Sequence, residues 1–313
     1  MINFRYHVVS LTAVFLALAI GLIVGTAALN GPLSDELKHQ VTQLSAQNQQ
    51  YRSQVSNLNS EVNQKEQFAD QIAPLVLANK LTGRHVLIVS TPQSAADVKA
   101  LQNDLQLAGA TVTGHVSIQD NFFNPGNNEQ LLDASSRALN KTPISGVPAN
   151  SDGVETATAL LAAVLVNRPP GQPAVPDVAN TRPQIISAFG NFIRVDGGDV
   201  TGTADAVIVL AGLAYTDQEA TGENQRMVTM VDQFDKAGPI VVGAASTAGT
   251  GNVIAAIRND ASLSKTASTV DNDNTPQGLI AVTLALNEQV VFGKTGHYGL
   301  ASSATGLLPK PQS

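Results

Sequence analysis

Apolar residues follow three rhythms along the chain, and each predicts a different kind of element. From Val8 to Leu29 almost every position is apolar, broken by Ser10, Thr12 and Thr26. At about 1.5 Å per residue such a helix reaches roughly 33 Å, enough to cross a bilayer core. From Leu37 to Ile72 the apolar positions recur in alternating steps of four and three. From His85 onward they gather into short continuous runs separated by amphipathic stretches.

The second rhythm is a heptad seam. Val41, Val55 and Val62 take the a positions, and Leu37, Leu44, Tyr51 and Leu58 the d positions. β-branched residues at a with leucine at d favour a parallel two-stranded coil, and Asn48, also at a, fixes register at some cost in stability. The rival reading is one amphipathic helix packed on its own domain. The coil is preferred because the pattern holds for about four heptads and the flanks are nearly all polar. Positions e and g are mostly Gln, Ser and Asn, with Glu61 facing Glu66 across a parallel pair, so charge does little to select a partner. The coiled-coil segment is assigned to 33–80, and the coil runs about 45–50 Å if it continues to Phe68. At its far end Lys65 falls at d and Pro74 interrupts the helix, which leaves Phe68, Ile72 and Leu75 to dock on the following domain or on another protein.

The first rhythm reads as an anchor over residues 1–30, with the lipid bilayer as partner of 8–29. A cleaved signal peptide is the competing reading, but its apolar region usually runs only about 7–15 residues. Arg5 precedes the span while Asp35 and Glu36 follow it, so the N-terminus is expected in the cytoplasm and the main domain outside. Small residues recur every fourth position at Ala13, Ala17, Gly21 and Gly25, a stripe that lets two membrane helices approach closely. Asn30, Gly31 and Pro32 are expected to break the helix, and Ser34 to cap the next one.

The third rhythm predicts an α/β domain over 81–300, Rossmann-like in topology only. His85–Ser90, Thr111–Ile118, Ala206–Leu210 and Ile240–Val242 read as buried strands, with helices at Ala95–Ala108, Arg226–Lys236 and Gly278–Val290. Strands without polar alternation, each followed by a helix, argue for a parallel sheet covered on both faces. Between the second and third strands lies a helical insertion, about 121–205, with patterns at Glu129–Leu139, Val154–Asn167 and Pro183–Ile193. It is read as a set of surface excursions, and 301–313 as a flexible tail.

Composition narrows the chemistry. The net charge of −7 comes with no basic stripe, so nucleic acid is not an expected partner. Cysteine is absent, which removes disulfides, thiolate metal sites and a Cys nucleophile. The turn Ser90-Thr-Pro-Gln-Ser94 lacks the glycines that cradle a pyrophosphate. A small molecule at the strand ends near Gly212 and Gly243 remains an alternative. The five histidines are scattered without ligand spacing. Met227 and Met230, three apart, could offer two thioethers to Cu(I), though such a pair is far more often core filler. Asp271-Asn-Asp-Asn274 has oxygen ligands for Ca²⁺ but not an EF-hand pattern, and a turn with a helix cap at Asn274 or Thr275 is the simpler use. Gly-x-Ser-x-Gly is absent and no carboxylate pair stands out, so no catalytic site or cofactor is expected.

Arg5-Tyr-His7-Val-Val-Ser10-Leu, leading into the span and coil, resembles the start of the actinobacterial MctB family. Ser268-Thr-Val-Asp271, Leu284-Ala-Leu286 and Gly293-x-x-Gly-His-Tyr298-Gly299 resemble its ending. The resemblance covers essentially the whole chain. It implies copper transport with outer-membrane placement and a proposed pore, or, from related proteins, an envelope partner of a peptidoglycan hydrolase in cell separation. The residues themselves favour a non-enzymatic, membrane-anchored spacer or regulator, a homodimer through its coil and working by protein contacts; that it belongs to the envelope and acts on another envelope protein is what the resemblance implies.

Overall fold

A computed structural model describes residues 4–29 and 32–310. Asn30 and Gly31, where the helix break was expected, lie outside the described residues, as does the tail beyond 310. Two compact units emerge, Met1–Lys65 and Glu66–Ser313.

In the first unit, α1 (Phe4–Leu29) is long and apolar enough to cross a membrane, and its large apolar side chains from Phe4 to Val24 are all exposed. The next helix, α2 (Pro32–Leu77), begins in the first unit. Its first residue is a proline, whose missing N–H is no loss at that position, so Ser34 lies inside the first turn rather than at the cap. Leu37, Val41, Leu44, Tyr51, Val55, Leu58 and Val62 are exposed along one chain, from 50% at Val62 to 65% at Tyr51, and Asn48 is exposed with them.

The second unit takes the last turns of α2. The expected break at Pro74 does not occur, and the helix continues to Leu77. A proline inside a helix costs about 3 kcal/mol. Here Ala69, Ala73 and Leu77, spaced four apart on one face, are buried in the domain core and offset that cost.

The domain then runs β1 (His85–Ser90), α3 (Ala95–Leu107), β2 (Thr111–Ile118), α4 (Asn128–Lys141), α5 (Gly153–Leu165), α6 (Val178–Ala188), β3 (Ile193–Asp196), β4 (Ala206–Leu210), α7 (Ala220–Ala237), β5 (Ile240–Gly243), α8 (Val253–Asn259), α9 (Leu263–Thr266), β6 (Ala267–Val270), α10 (Pro276–Phe292) and β7 (His297–Tyr298). The seven strands lie in the order β3-β2-β1-β4-β5-β6-β7, parallel throughout except that β3 is antiparallel to β2. Val86 and Ile88 of β1 enter a core shared with α3, α10 and the end of α2, while Leu87 and Val89 enter a second core under α4 to α8. Burial on both faces is why these strands read as unbroken apolar runs.

Three expectations change. The insertion is not a set of excursions: α5 is buried over most of its length and, with α4, α6 and α7, forms the layer on one face of the sheet. The third insertion helix starts at Val178, and Ile193, expected at its end, opens the edge strand β3. Residues 301–310 do not hang free. Thr305 donates its N–H to the His297 carbonyl (2.7 Å) and Gly299 donates to the Gly306 carbonyl (3.0 Å), so the segment returns along β7.

Candidate functional site

In an open α/β sheet the usual ligand position is the crevice at the carboxyl ends of the strands, where the order reverses. Here that point lies between β1 and β4, and it is filled. Thr91 donates its hydroxyl to the Ala211 carbonyl (3.2 Å), and Gln93 Oε1 accepts the Leu213 N–H (3.1 Å). Gly212, at φ +71°, is packed so closely that an added Cβ would meet Gln93 Cβ at 2.9 Å. One strand further on, a Cβ on Gly243 would meet Asp273 Oδ2 at 2.7 Å. Both glycines make room for protein. Burial, together with Asp97, pushes the Asp273 carboxyl up to about 7, and its Oδ2 has no hydrogen-bond partner.

Sheet pairing assembles a constellation that spacing along the chain did not announce. Ser90 Oγ, at the end of β1, lies 2.7 Å from His115 Nε2 on β2, and His115 Nδ1 lies 3.8 Å from Asp196 Oδ2 on β3. The residue types are those of an acyl-transfer triad. The geometry is not that of a working one. Ser90 is 1% exposed, the neighbouring Thr91 N–H is spent on the Leu210 carbonyl, and the His–Asp separation exceeds a hydrogen bond. Burial lowers the His115 pKa, and Asp196 partly opposes this. The pair is a satisfied polar contact inside the sheet. Its only sequence signal is the parity that places Ser90 and His115 on one face of paired strands.

The C-terminal signature residues meet around Arg258 of α8. Its guanidinium donates to Thr269 Oγ1 (2.9 Å), Asp271 Oδ2 (2.8 Å), Ser303 Oγ (2.9 Å) and the Tyr298 carbonyl (2.8 Å). Asp271 Oδ1 accepts the N–H groups of Leu300 (2.6 Å) and Ala301 (3.1 Å). His297 Nδ1 lies 2.9 Å from Thr269 Oγ1, and the Tyr298 hydroxyl donates to Glu288. A Cβ on Gly299 would collide with the Asp271 carboxylate. Arg258 and Asp271 are both almost fully buried. This network latches the C-terminal segment to the edge of the sheet.

The Asp271–Asn274 run belongs to that latch and to the start of α10, where Thr275 Oγ1 accepts the Gly278 N–H (3.1 Å) with Pro276 at the first helical position. Met227 and Met230 are 2% and 1% exposed within the α7 side of the core. Among the described residues, no three or more His, Asp or Glu side chains stand together in metal-ligand geometry. At the far end of α2, Lys65 pairs with Glu61 (2.8 Å), Phe68 and Leu75 are 63% and 82% exposed, and Ile72 is half-buried. The face that docks on the domain is that of Ala69, Ala73 and Leu77 instead. Among the described residues, the heptad positions of α2 and the apolar side chains of α1 form long runs of exposed large apolar residues.

Residues 1–309 match the family described as "Copper transport outer membrane protein, MctB". The chain is 28% identical over 319 residues to the copper transporter MctB of Mycobacterium tuberculosis (strain ATCC 25618 / H37Rv), covering 98% of this chain and 99% of that protein. It is 29% identical over 316 residues to the copper transporter MctB of Mycobacterium leprae (strain TN), with the same coverage. The chain belongs to the MctB family.

Proposed function

We propose that this MctB family member is a non-enzymatic, membrane-anchored envelope protein that acts as a dimer, paired in parallel along α2. The observation that carries the reading is the exposed seam of α2. Seven large side chains at heptad positions stand in solvent, each at least 50% exposed, and between Leu37 and Val62 the rest of the helix is polar apart from Ala46. Burying them against a second copy removes that apolar area from water, and the a-position valines and Asn48 fit two parallel strands. The filled crevice and the buried Ser90 support a role without catalysis. The two turns of α2 bearing Phe68 and Leu75 are the surface we assign to a second envelope protein, and a role in cell separation would act through them.

The chain has no cysteine, so single cysteines report pairing directly. Val55→Cys, on the seam, should form a disulfide-linked dimer of the full chain in membranes under mild oxidation. Ser53→Cys, on the opposite face, should not. Equal cross-linking of both, or of neither, would refute the parallel pair.

Copper handling is the second reading, supported by relatives named copper transporters along their whole length. The sheet is open, with β3 and β7 at its edges, so a pore made by this chain would assemble from several copies of α1. Conductance of the purified chain in planar bilayers, and titration with Cu(I) and Cu(II), test the two parts of that reading. Silence in both would confine copper to an indirect effect.

A further inference from the structure

A cavity of about 340 Å³ opens among the helices that cover one face of the sheet, beside the C-terminal halves of α5 and α7. Small-molecule sites begin at about that volume. Where α5 reaches the cavity its lining is Ala159, Ala162 and Ala163, and alanine at these positions leaves space that larger side chains would fill. Pro148 from the loop before α5 and Pro169 from the loop after it add further apolar surface.

The guanidinium on this cavity is held in place. Arg168, half-buried, donates from Nε to Gln172 Oε1 (3.2 Å), from Nη1 to the Pro173 carbonyl (2.9 Å) and from Nη2 to the Ser145 carbonyl (3.0 Å). These bonds tie together the loops on either side of α5, and they leave part of the donor set unused. All three acceptors are neutral, and among the described residues Arg168 forms no ion pair. The other charges are engaged. Lys236 of α7, also on the cavity, pairs with Asp232 (2.5 Å), and the buried Gln233 amide donates to Glu155 Oε1 (3.3 Å) and Asp232 Oδ2 (3.1 Å). The cavity thus presents an apolar surface beside one fixed positive charge that lacks a counter-charge.

We propose that this cavity binds a small organic acid, an aliphatic carboxylate whose apolar body lies on the alanines of α5 and whose head group pairs with Arg168. A carboxylate matches the planar guanidinium and gains charge-assisted hydrogen bonds from it. A bare inorganic anion would trade hydration for contact with alanine and proline, which disfavours it. The lining includes no Ser, Thr, His, Asp or Glu, so the site holds its ligand without transforming it.

The test is calorimetric titration of the full chain in detergent with sodium hexanoate, each heat corrected by titration into matched detergent buffer. Acetate, which lacks the apolar body, and inorganic phosphate are the parallel arms. Expected is hexanoate binding with Kd of about 1 mM, a hexanoate-dependent rise in Tm, and binding of acetate and phosphate at least about tenfold weaker. Arg168→Gln should weaken hexanoate binding at least about tenfold by removing the charged partner. Ala159→Leu, at a half-buried helical position, should fill the cavity and weaken binding by a similar factor, with the Tm of the free chain unchanged. That variant decides the matter if Arg168→Gln loosens the loops. Absence of both heat and Tm rise up to about 20 mM hexanoate would overturn the proposal. So would hexanoate binding that Ala159→Leu leaves intact, or phosphate binding as tight as hexanoate.

Discussion

At the residue scale the most informative side chains are those whose burial forces a choice of partner. Arg258 and Asp271 form a buried ion pair whose own side-chain nitrogens and oxygens are all hydrogen-bonded, and breaking one half of such a pair costs about 3–5 kcal/mol because the other charge is stranded. Arg258→Ala should therefore destabilise the domain by about that much in denaturant unfolding and expose the 299–308 segment to proteolysis. A loss below about 1 kcal/mol would mean the latch is ornamental. Asp273 makes the opposite choice and keeps its proton. With a folded value of about 7 against an ordinary carboxylate near 4, the native state binds more protons than the unfolded chain across that window. Stability should therefore fall as pH climbs from about 4 to 7, by up to about 1.4 kcal/mol per pH unit for a single group, and level off above. Asp104, pushed up to about 7 by burial and by Asp70, contributes with the same sign. Asp273→Asn should raise Tm at about pH 8, leave it nearly unchanged at about pH 4.5, and reduce the slope between; an unaltered slope would assign the whole effect to the other raised carboxylates, Asp97, Asp104, Glu223 and Asp235. None of this was legible in the sequence, because Arg258, Asp271 and Tyr298 meet only after β6 and β7 pair.

At the scale of elements, legibility tracked periodicity. β1, β2 and β4 have the predicted bounds; the interiors of β1 and β4 are buried on both faces and read as unbroken apolar runs, whereas β2 carries Thr113, His115 and Ser117 among its apolar residues. β6 was missed for the converse reason: Ser268 and Thr269 are fully buried in it and read as polar. The insertion helices were visible from their spacing, but spacing could not tell a surface helix from α5. Pro74 was misjudged because the local cost of proline was weighed without the anchoring of Ala73 and Leu77. In the proposed dimer the exposed heptad positions of α2 meet a second chain, and Asn48 offers the sharpest test of that pairing. A buried a-position amide fixes two-stranded register at a cost in stability. Asn48→Val should raise the thermal stability of the assembled chain and admit species larger than a dimer in sedimentation equilibrium. Lower stability with unchanged assembly would mean that Asn48 never enters an interface.

For the whole molecule, the question is whether α1 and α2 pair as one device. A membrane helix that pairs along Ala13, Ala17, Gly21 and Gly25 would hold two copies of α2 at high effective concentration, so a modest heptad seam would suffice for a stable dimer. A Cβ added at Gly21 or Gly25 meets nothing within 4 Å in one chain. Any effect of enlarging these glycines on assembly therefore reports a contact between chains. The doubly substituted Gly21→Ile, Gly25→Ile chain should insert and fold as before, with the Tm of the α/β domain unchanged, because none of its core residues belongs to α1. Its Val55→Cys cross-link should form at least about tenfold more slowly at equal density in the membrane. Restoring the rate by adding Asn48→Val would show that the two segments contribute to one equilibrium. An unchanged rate would leave α1 as an anchor alone and assign all pairing to α2, where polar e and g positions set spacing without choosing a partner by charge.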